Sequence, residues 1–272
     1  MARTSVNSSS SPIGIFDSGV GGLTVFKEVR KLLPFEDMVY LGDTARVPYG
    51  TKSQEVVIKY SIQNAEFLLS KGVKTIIVAC NTASAASLPY LKDHFPEVEI
   101  IGVISPVVRY IKTNLHSLTK VAVVGTKTAI TSGAYQRALQ EALPGVKVLS
   151  KPCPLFVPLV EEGMFDHRVT DAVIDMYLSE IREAKVGAVI LGCTHYPMLK
   201  KPLQKYFGEK VAVIDTAFHT AVSLDSVLCE KSLKNDRSVD GRNEFYVTDS
   251  VESFKKTAEL FLKFSVDQVF HI

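Results

Sequence analysis

From about residue 13 the chain alternates two patterns. Short apolar runs of four or five residues are followed by longer stretches with apolar positions every three or four. The first pattern predicts strands buried on both faces and the second predicts amphipathic helices. Residues 13–16 form the first such run, and Leu23, Val25, Phe26, Val29 and Leu32 mark one helix face. A second strand is predicted over 37–41, with a loop from Gly42 to Gly50 after it. A helix follows over 53–71, on Val56, Val57, Tyr60, Ile62, Ala65 and Leu68. Strand 75–79 runs into Cys80, a helix continues to about Phe95, and 99–103 is another strand.

Near Val121 the pattern restarts. Strand 121–124 leads to Gly125-Thr126-Lys127-Thr128, then a helix over 132–143, a strand over 147–149 and a Pro-rich loop from Pro152 to Pro158. Helices around Val160 and over 169–183 precede a second strand that ends in a cysteine, 188–192 before Cys193. Cys80 lies 63 positions after Asp17, and Cys193 lies 68 after Gly125. The agreement in order and spacing predicts an internal duplication, whose halves would face each other about a pseudo-twofold axis. Strands alternating with helices predict a mostly parallel sheet in each half. The strand at 243–248 and the helix at 251–264 have no counterpart in the second half, so they are expected to return to the first. The fold class expected is α/β, with two pseudosymmetric domains. Residues 12–102 plus 215–272 form the first domain and 103–214 the second, after an unstructured tail over 1–11.

Composition narrows the classes of function. With 272 residues and 46% hydrophobic content, the chain has enough for two medium cores. A net charge of +2 offers no basic stripe for nucleic acid. No apolar stretch approaches the roughly 18–20 residues that span a bilayer, and the N-terminus lacks the apolar middle of a signal peptide. A cytosolic protein with no membrane or nucleic-acid partner is expected. The four cysteines have no CxxC spacing, so reduced thiols are expected rather than a disulfide framework or a zinc site.

Chemistry concentrates at the strand ends, where ligands bind in open α/β sheets. Two thiols delivered to one cleft by separate halves suit removal of a proton from one side of a carbon and its return to the other. A buried strand-end cysteine is often mere packing. Two at matching places in two halves favour function. Both precede candidate helix starts (Thr82-Ala-Ser84, and Tyr196-Pro197-Met198-Leu199), and a helix N-terminus lowers a thiol pKa. Asp17, at the first strand end, could orient or deprotonate a thiol, or shape the glycine-rich turn after it. His195, two residues after Cys193, is a candidate acid–base partner. Gly19-Val-Gly21-Gly22 has neither GxGxxG nor Walker spacing, so no nucleotide site is expected. No Lys or Arg stands in either cysteine motif, which predicts uncharged donors for a substrate's carboxylates. Cys153 and Cys229 are expected to be packing residues, and the charged runs at 112–120 and 230–237 solvated surface.

Five segments together resemble the cofactor-independent glutamate racemases. They are Gly14-Ile-Phe-Asp17-Ser18, Gly42-Asp43 through Pro48-Tyr49-Gly50, Ala79-Cys80-Asn81-Thr82, Leu191-Gly-Cys193-Thr194-His195 and Pro158-Leu-Val-Glu161-Glu-Gly163. The resemblance implies glutamate held in an interdomain cleft, with no pyridoxal phosphate, metal or nucleotide, and a homodimer. It implies Cys80 and Cys193 as the two proton carriers, acting on D- and L-glutamate respectively, assisted by Asp17, Glu161 (or its neighbour Glu162) and His195. The substrate-binding set it implies is Asp17, Ser18, Tyr49, Gly50, Asn81, Thr82, Thr194 and His195. Pro48, from the second segment, and Thr126, at the strand end opening the second half, complete the candidates. Other readings are a relative acting on aspartate, hydantoins or maleate, a binding module that closes on a small acid without reacting, and a thiol redox sensor.

Overall fold

The apolar runs become strands. In a computed structural model, which describes residues 8–272, the first half contains β1 (Ile13–Asp17), α1 (Leu23–Leu32), β2 (Met38–Gly42), α2 (Gln54–Ser70), β3 (Thr75–Val78), α3 (Asn81–His94) and β4 (Glu99–Gly102). Next come α4 (Ile104–Asn114), β5 (Lys120–Gly125), α5 (Lys127–Thr131), α6 (Ala134–Ala142) and β6 (Lys147–Pro152). The second half continues with α7 (Phe156–Glu161), α8 (Arg168–Glu183), β7 (Ala188–Gly192), α9 (Lys200–Phe207) and β8 (Ala212–Asp215). The chain then returns through α10 (Thr216–Glu230), β9 (Asn243–Val247), α11 (Val251–Leu262) and β10 (Val269–His271).

Two parallel sheets result. One has the order β10-β9-β2-β1-β3-β4 and the other β6-β5-β7-β8. The four strands β2-β1-β3-β4 and the four strands β6-β5-β7-β8 therefore occur in the same order, as a duplication requires. In each set the cysteine-bearing strand lies beside the set's first strand, Phe16 pairing with Val78 and Gly125 with Gly192. β1, β3 and β7 are buried at every position, because helices cover both faces. Ser53 and Asp215 cap α2 and α10 by accepting from the N–H groups of Val56 and Phe218. β9 and β10 extend the first sheet, where the unmatched C-terminal segment was expected.

Some features differ from the sequence reading. Residues 1–7 of the expected tail lie outside the described residues. Its last part is ordered rather than unstructured: Ser11 N–H bonds the Ser8 carbonyl, and Lys74 Nζ donates to the Ser9 carbonyl. Lys74 is itself buried against Glu36, so one internal ion pair anchors the backbone at Ser9. The strand at 147–149 continues to Pro152, shortening the expected loop. The helices α4 and α10 and the strands β8 and β10 had not been placed. α4 carries a proline in its first turn, which the helix tolerates because N–H groups there have no intrahelical partner. α10 is apolar on several sides because it packs against both α1 and α4, so its periodicity is blurred. Cys229, expected in the core, is exposed at the end of α10. None of the described helices is long and apolar enough to cross a membrane.

Candidate active site

Three strand ends from each sheet converge on one cavity of about 910 Å³. From the first sheet come Ser18 after β1, the 47–51 loop after β2, and Cys80-Asn81-Thr82 after β3. From the second come Thr126 and Lys127 after β5, Lys151 and Pro152 at the end of β6, and Cys193-Thr194-His195 after β7. The strands concerned, β2-β1-β3 and β6-β5-β7, are the equivalent triplets of the two sheets. Both thiols line this cavity, and each residue is only 5% exposed.

Cys80 is the N-cap of α3, and its Sγ accepts from Ala83 N–H at 3.5 Å. The Ser18 hydroxyl stands 3.7 Å from the same sulfur. A thiol pKa lowered by the helix N-terminus had been expected. Instead, burial pushes it up to about 12, the nearby Asp17 charge adds to the rise, and the Ala83 and Ser18 hydrogen bonds only partly oppose it. At pH 7 the Cys80 thiol therefore keeps its proton.

Cys193 is held differently. It is followed not by an α-helix but by Thr194, His195 and a single 3₁₀ turn over Tyr196–Leu199 that leads into α9. His195 Nδ1 lies 3.9 Å from Cys193 Sγ, and His195 Nε2 lies 3.0 Å from Glu161 Oε1. Burial opposes a charge on this imidazole. The bonds to Cys193 and Glu161, with the Asp17 charge, outweigh it and raise the pKa to about 10. His195 is thus cationic at neutral pH. Glu161, on α7, lines the cavity and Glu162 does not.

Asp17 differs from the other candidates: it is fully buried and does not line the cavity. Its Oδ2 accepts from Gly19 N–H at 2.9 Å and its Oδ1 from the Thr194 hydroxyl at 3.3 Å. Burial raises its pKa, while the His195 charge and the Gly19 and Gly22 N–H groups pull it back. Asp17 sits behind the cavity wall, bonded to the Gly19 turn and to Thr194 of the other half. The Tyr49 hydroxyl is likewise committed elsewhere, donating to buried Asp43 and accepting from Asn64 Nδ2. Asp43 also accepts from Arg46 and Thr248, so it organises the loop that brings Pro48 and Gly50 to the cavity.

Hydroxyls bridge the two halves. Thr82 Oγ1 and Thr126 Oγ1 are 2.9 Å apart, and Thr126 caps α5 through Ala129 N–H. Thr128 Oγ1 donates to the Gly50 carbonyl. Thr24 Oγ1 donates to the carbonyls of Gly21 and Thr194. Gly21 must lack a side chain, since a β-carbon there would strike the His195 ring and the Thr194 hydroxyl.

Several lining residues had not been anticipated. Lys127 and Lys151 also line the cavity, the Lys151 ammonium being paired with Glu180 of α8 at 3.2 Å. Val157, Met176 and Tyr177 supply apolar wall. The rule that ligands bind at strand carboxyl ends would have found Lys151 had β6 been drawn to its full length. Met176 and Tyr177 come from the middle of α8 and have no such signal. Among the described residues no cluster of three or more His, Cys, Asp or Glu side chains is placed to hold a metal ion.

Two parallel α/β sheets whose equivalent strands each deliver a thiol to a shared cavity define an unusual class of site. Comparison with known proteins agrees on its class. Residues 18–223 match the model of the Asp/Glu/hydantoin racemase family. A glutamate racemase of Geobacter metallireducens is 44% identical over 260 residues, 96% of each chain. One of Aquifex aeolicus is 48% identical over 251 residues, 92% of this chain and 93% of that one. The crystal structure of glutamate racemase from Francisella tularensis in complex with D-glutamate superposes with a TM-score of 0.90 at 37% identity, covering 97% of this chain and 98% of the other. The chain belongs to the Asp/Glu/hydantoin racemase family.

Proposed function

We propose that this protein is a glutamate racemase, interconverting L- and D-glutamate by proton transfer at Cα, with Cys80 and Cys193 as the two proton carriers. The observation that carries the reading is that two thiols, at equivalent ends of equivalent strands, line one cavity. One sulfur, as thiolate, takes the Cα proton and becomes a thiol. The opposite thiol gives its proton to the other face of the carbanion and becomes the thiolate, so each turnover exchanges their states. The neutral Cys80 thiol suits a proton donor, and the His195 imidazolium sits where negative charge on Cys193 would develop. Following the resemblance, Cys80 deprotonates D-glutamate and Cys193 L-glutamate. No cofactor takes part in this scheme.

Ser18, Asn81, Thr82, Thr126 and Thr194 supply polar contacts for the two carboxylates, and Lys127 supplies positive charge near them. Asp17 acts from behind Thr194, and Glu161 through His195. Glutamate is favoured over aspartate and hydantoins by the identities of 44% and 48% to glutamate racemases that the chain matches nearly end to end. We extend the same reading to the cell: a cytoplasmic homodimer, built of the two domains delimited above, that supplies D-glutamate for peptidoglycan.

Circular dichroism of L- and D-glutamate solutions in deuterated water tests the scheme. Both enantiomers are expected to racemise with deuterium entering at Cα. Cys80→Ala and Cys193→Ala are each expected to lower racemisation by about 10²- to 10⁴-fold, the usual worth of one general acid or base. Substantial turnover in either variant, or retention of the original hydrogen, would overturn the two-thiol scheme.

A further inference from the structure

Asn81 follows Cys80 directly and lines the cavity, and the two ends of its amide are not equivalent. Its Oδ1 accepts a hydrogen bond from the Tyr135 hydroxyl. Its Nδ2 is buried and has no partner among the described residues. A buried donor without a partner is costly, and such a group in a cavity wall marks a place where a ligand completes the bonding.

Tyr135 belongs to α6 in the second half, is 2% exposed and is no part of the cavity wall. Its ring lies over Gly192, where a β-carbon would approach the ring edge to 3.2 Å. One side chain therefore touches the residue after Cys80 and the residue before Cys193. Burial raises the pKa of this hydroxyl, so it keeps the proton that it donates to Asn81 Oδ1. With its oxygen bonded to Tyr135, the amide of this cavity-lining residue keeps a donor to spare at Nδ2.

We propose that Tyr135 is a positioning residue acting through Asn81: its hydroxyl holds the amide so that Nδ2 points at a substrate carboxylate, while its ring braces the strand end that carries Cys193. Naming a carboxylate as the ligand rests on the function proposed above; the orientation of Asn81 does not. A purely structural tyrosine would fill the apolar cluster it shares with Val123, Leu139 and Ile190, and phenylalanine would fill it as well.

The test is a double-mutant cycle with Tyr135→Phe and Asn81→Ala. Tyr135→Phe is expected to leave the melting temperature close to wild type. It should lower kcat/KM for glutamate about 5- to 30-fold, the worth of one to two hydrogen bonds, mainly through a higher KM. In the Asn81→Ala background the same change should cost nothing more, because the residue through which it acts is gone. Unchanged kinetics in Tyr135→Phe, or losses that simply multiply in the double variant, would overturn the proposal. A readout independent of activity is the Asn81 side-chain NH₂ signal in ¹⁵N-labelled protein, which should shift in Tyr135→Phe. If wild type fails to racemise glutamate, the functional reading falls, yet this signal still decides whether Tyr135 orients Asn81. An NH₂ signal that does not move would overturn the orienting role.

Discussion

The Thr194 hydroxyl donates to Asp17 Oδ1 across 3.3 Å, joining the end of β1 in one sheet to the residue after Cys193 in the other. This contact between the two halves takes Asp17 away from the cavity surface and puts its charge behind the wall. There the carboxylate raises the Cys80 thiol and helps keep His195 protonated. A single buried charge thus favours a proton on both sides of the cavity.

Removing that charge should be visible at Cys80. In Asp17→Asn the Gly19 N–H still finds an acceptor, but the negative charge is gone, so the Cys80 pKa should fall from about 12. Alkylation by iodoacetamide, followed by peptide mass spectrometry against pH, measures this. Exposed Cys229 should react first in both proteins, and the Cys80 profile should move to lower pH in the variant. An unmoved Cys80 profile would mean that burial alone sets this thiol.

The His195–Glu161 pair gives a pH dependence of definite sign. The folded-state pKa of His195, about 10, lies above the ordinary 6.5. The stability this gives is complete below pH 6.5 and is lost as pH rises toward 10. The His195 Hε1 resonance should show no titration between pH 6 and 8 in wild type. Its midpoint should drop in Glu161→Gln, with a shallower loss of melting temperature between pH 7 and 10. A wild-type midpoint near 6.5 is the result that sinks this account.

Gly21→Ala introduces a β-carbon into the His195 ring and the Thr194 hydroxyl. Neither can easily retreat: the ring is bonded to Glu161 and lies edge-on to Phe261, while Thr194 is tied to Asp17. Overpacking of this kind costs about 1–3 kcal/mol. In a chain of this size that is a fall of roughly 2–12 °C in melting temperature. Activity should fall with it, since the displaced groups flank Cys193. Calorimetry and racemisation assays on the same preparation check both, and a fully active variant of normal stability would contradict the packing described.

The amino-acid sequence by itself determined the strands β1 to β7 and the ends that carry chemistry, though not α4, α10, β8 or β10. An apolar β-branched run that halts at Cys80 or Cys193 is a local signal, because burial on both faces selects such residues and the strand's end releases the next side chains toward ligand. The repeat of that signal at similar spacing made the internal duplication legible as well. Tertiary structure alone decided what surrounds those thiols. It withdrew Asp17 behind Thr194, turned the Tyr49 hydroxyl to Asp43, brought Lys151 and Tyr177 to the wall and set Tyr135 against Asn81. The Asp17–Thr194 and Tyr135–Asn81 contacts join residues far apart in the chain and in different halves. Their energies depend on how packed sheets and helices meet, for which no periodicity along one segment carries a signal. The same holds for the thiol protonation states: a helix N-terminus beside Cys80 is readable locally, but the burial that outweighs it arises only when both halves close around the sulfur.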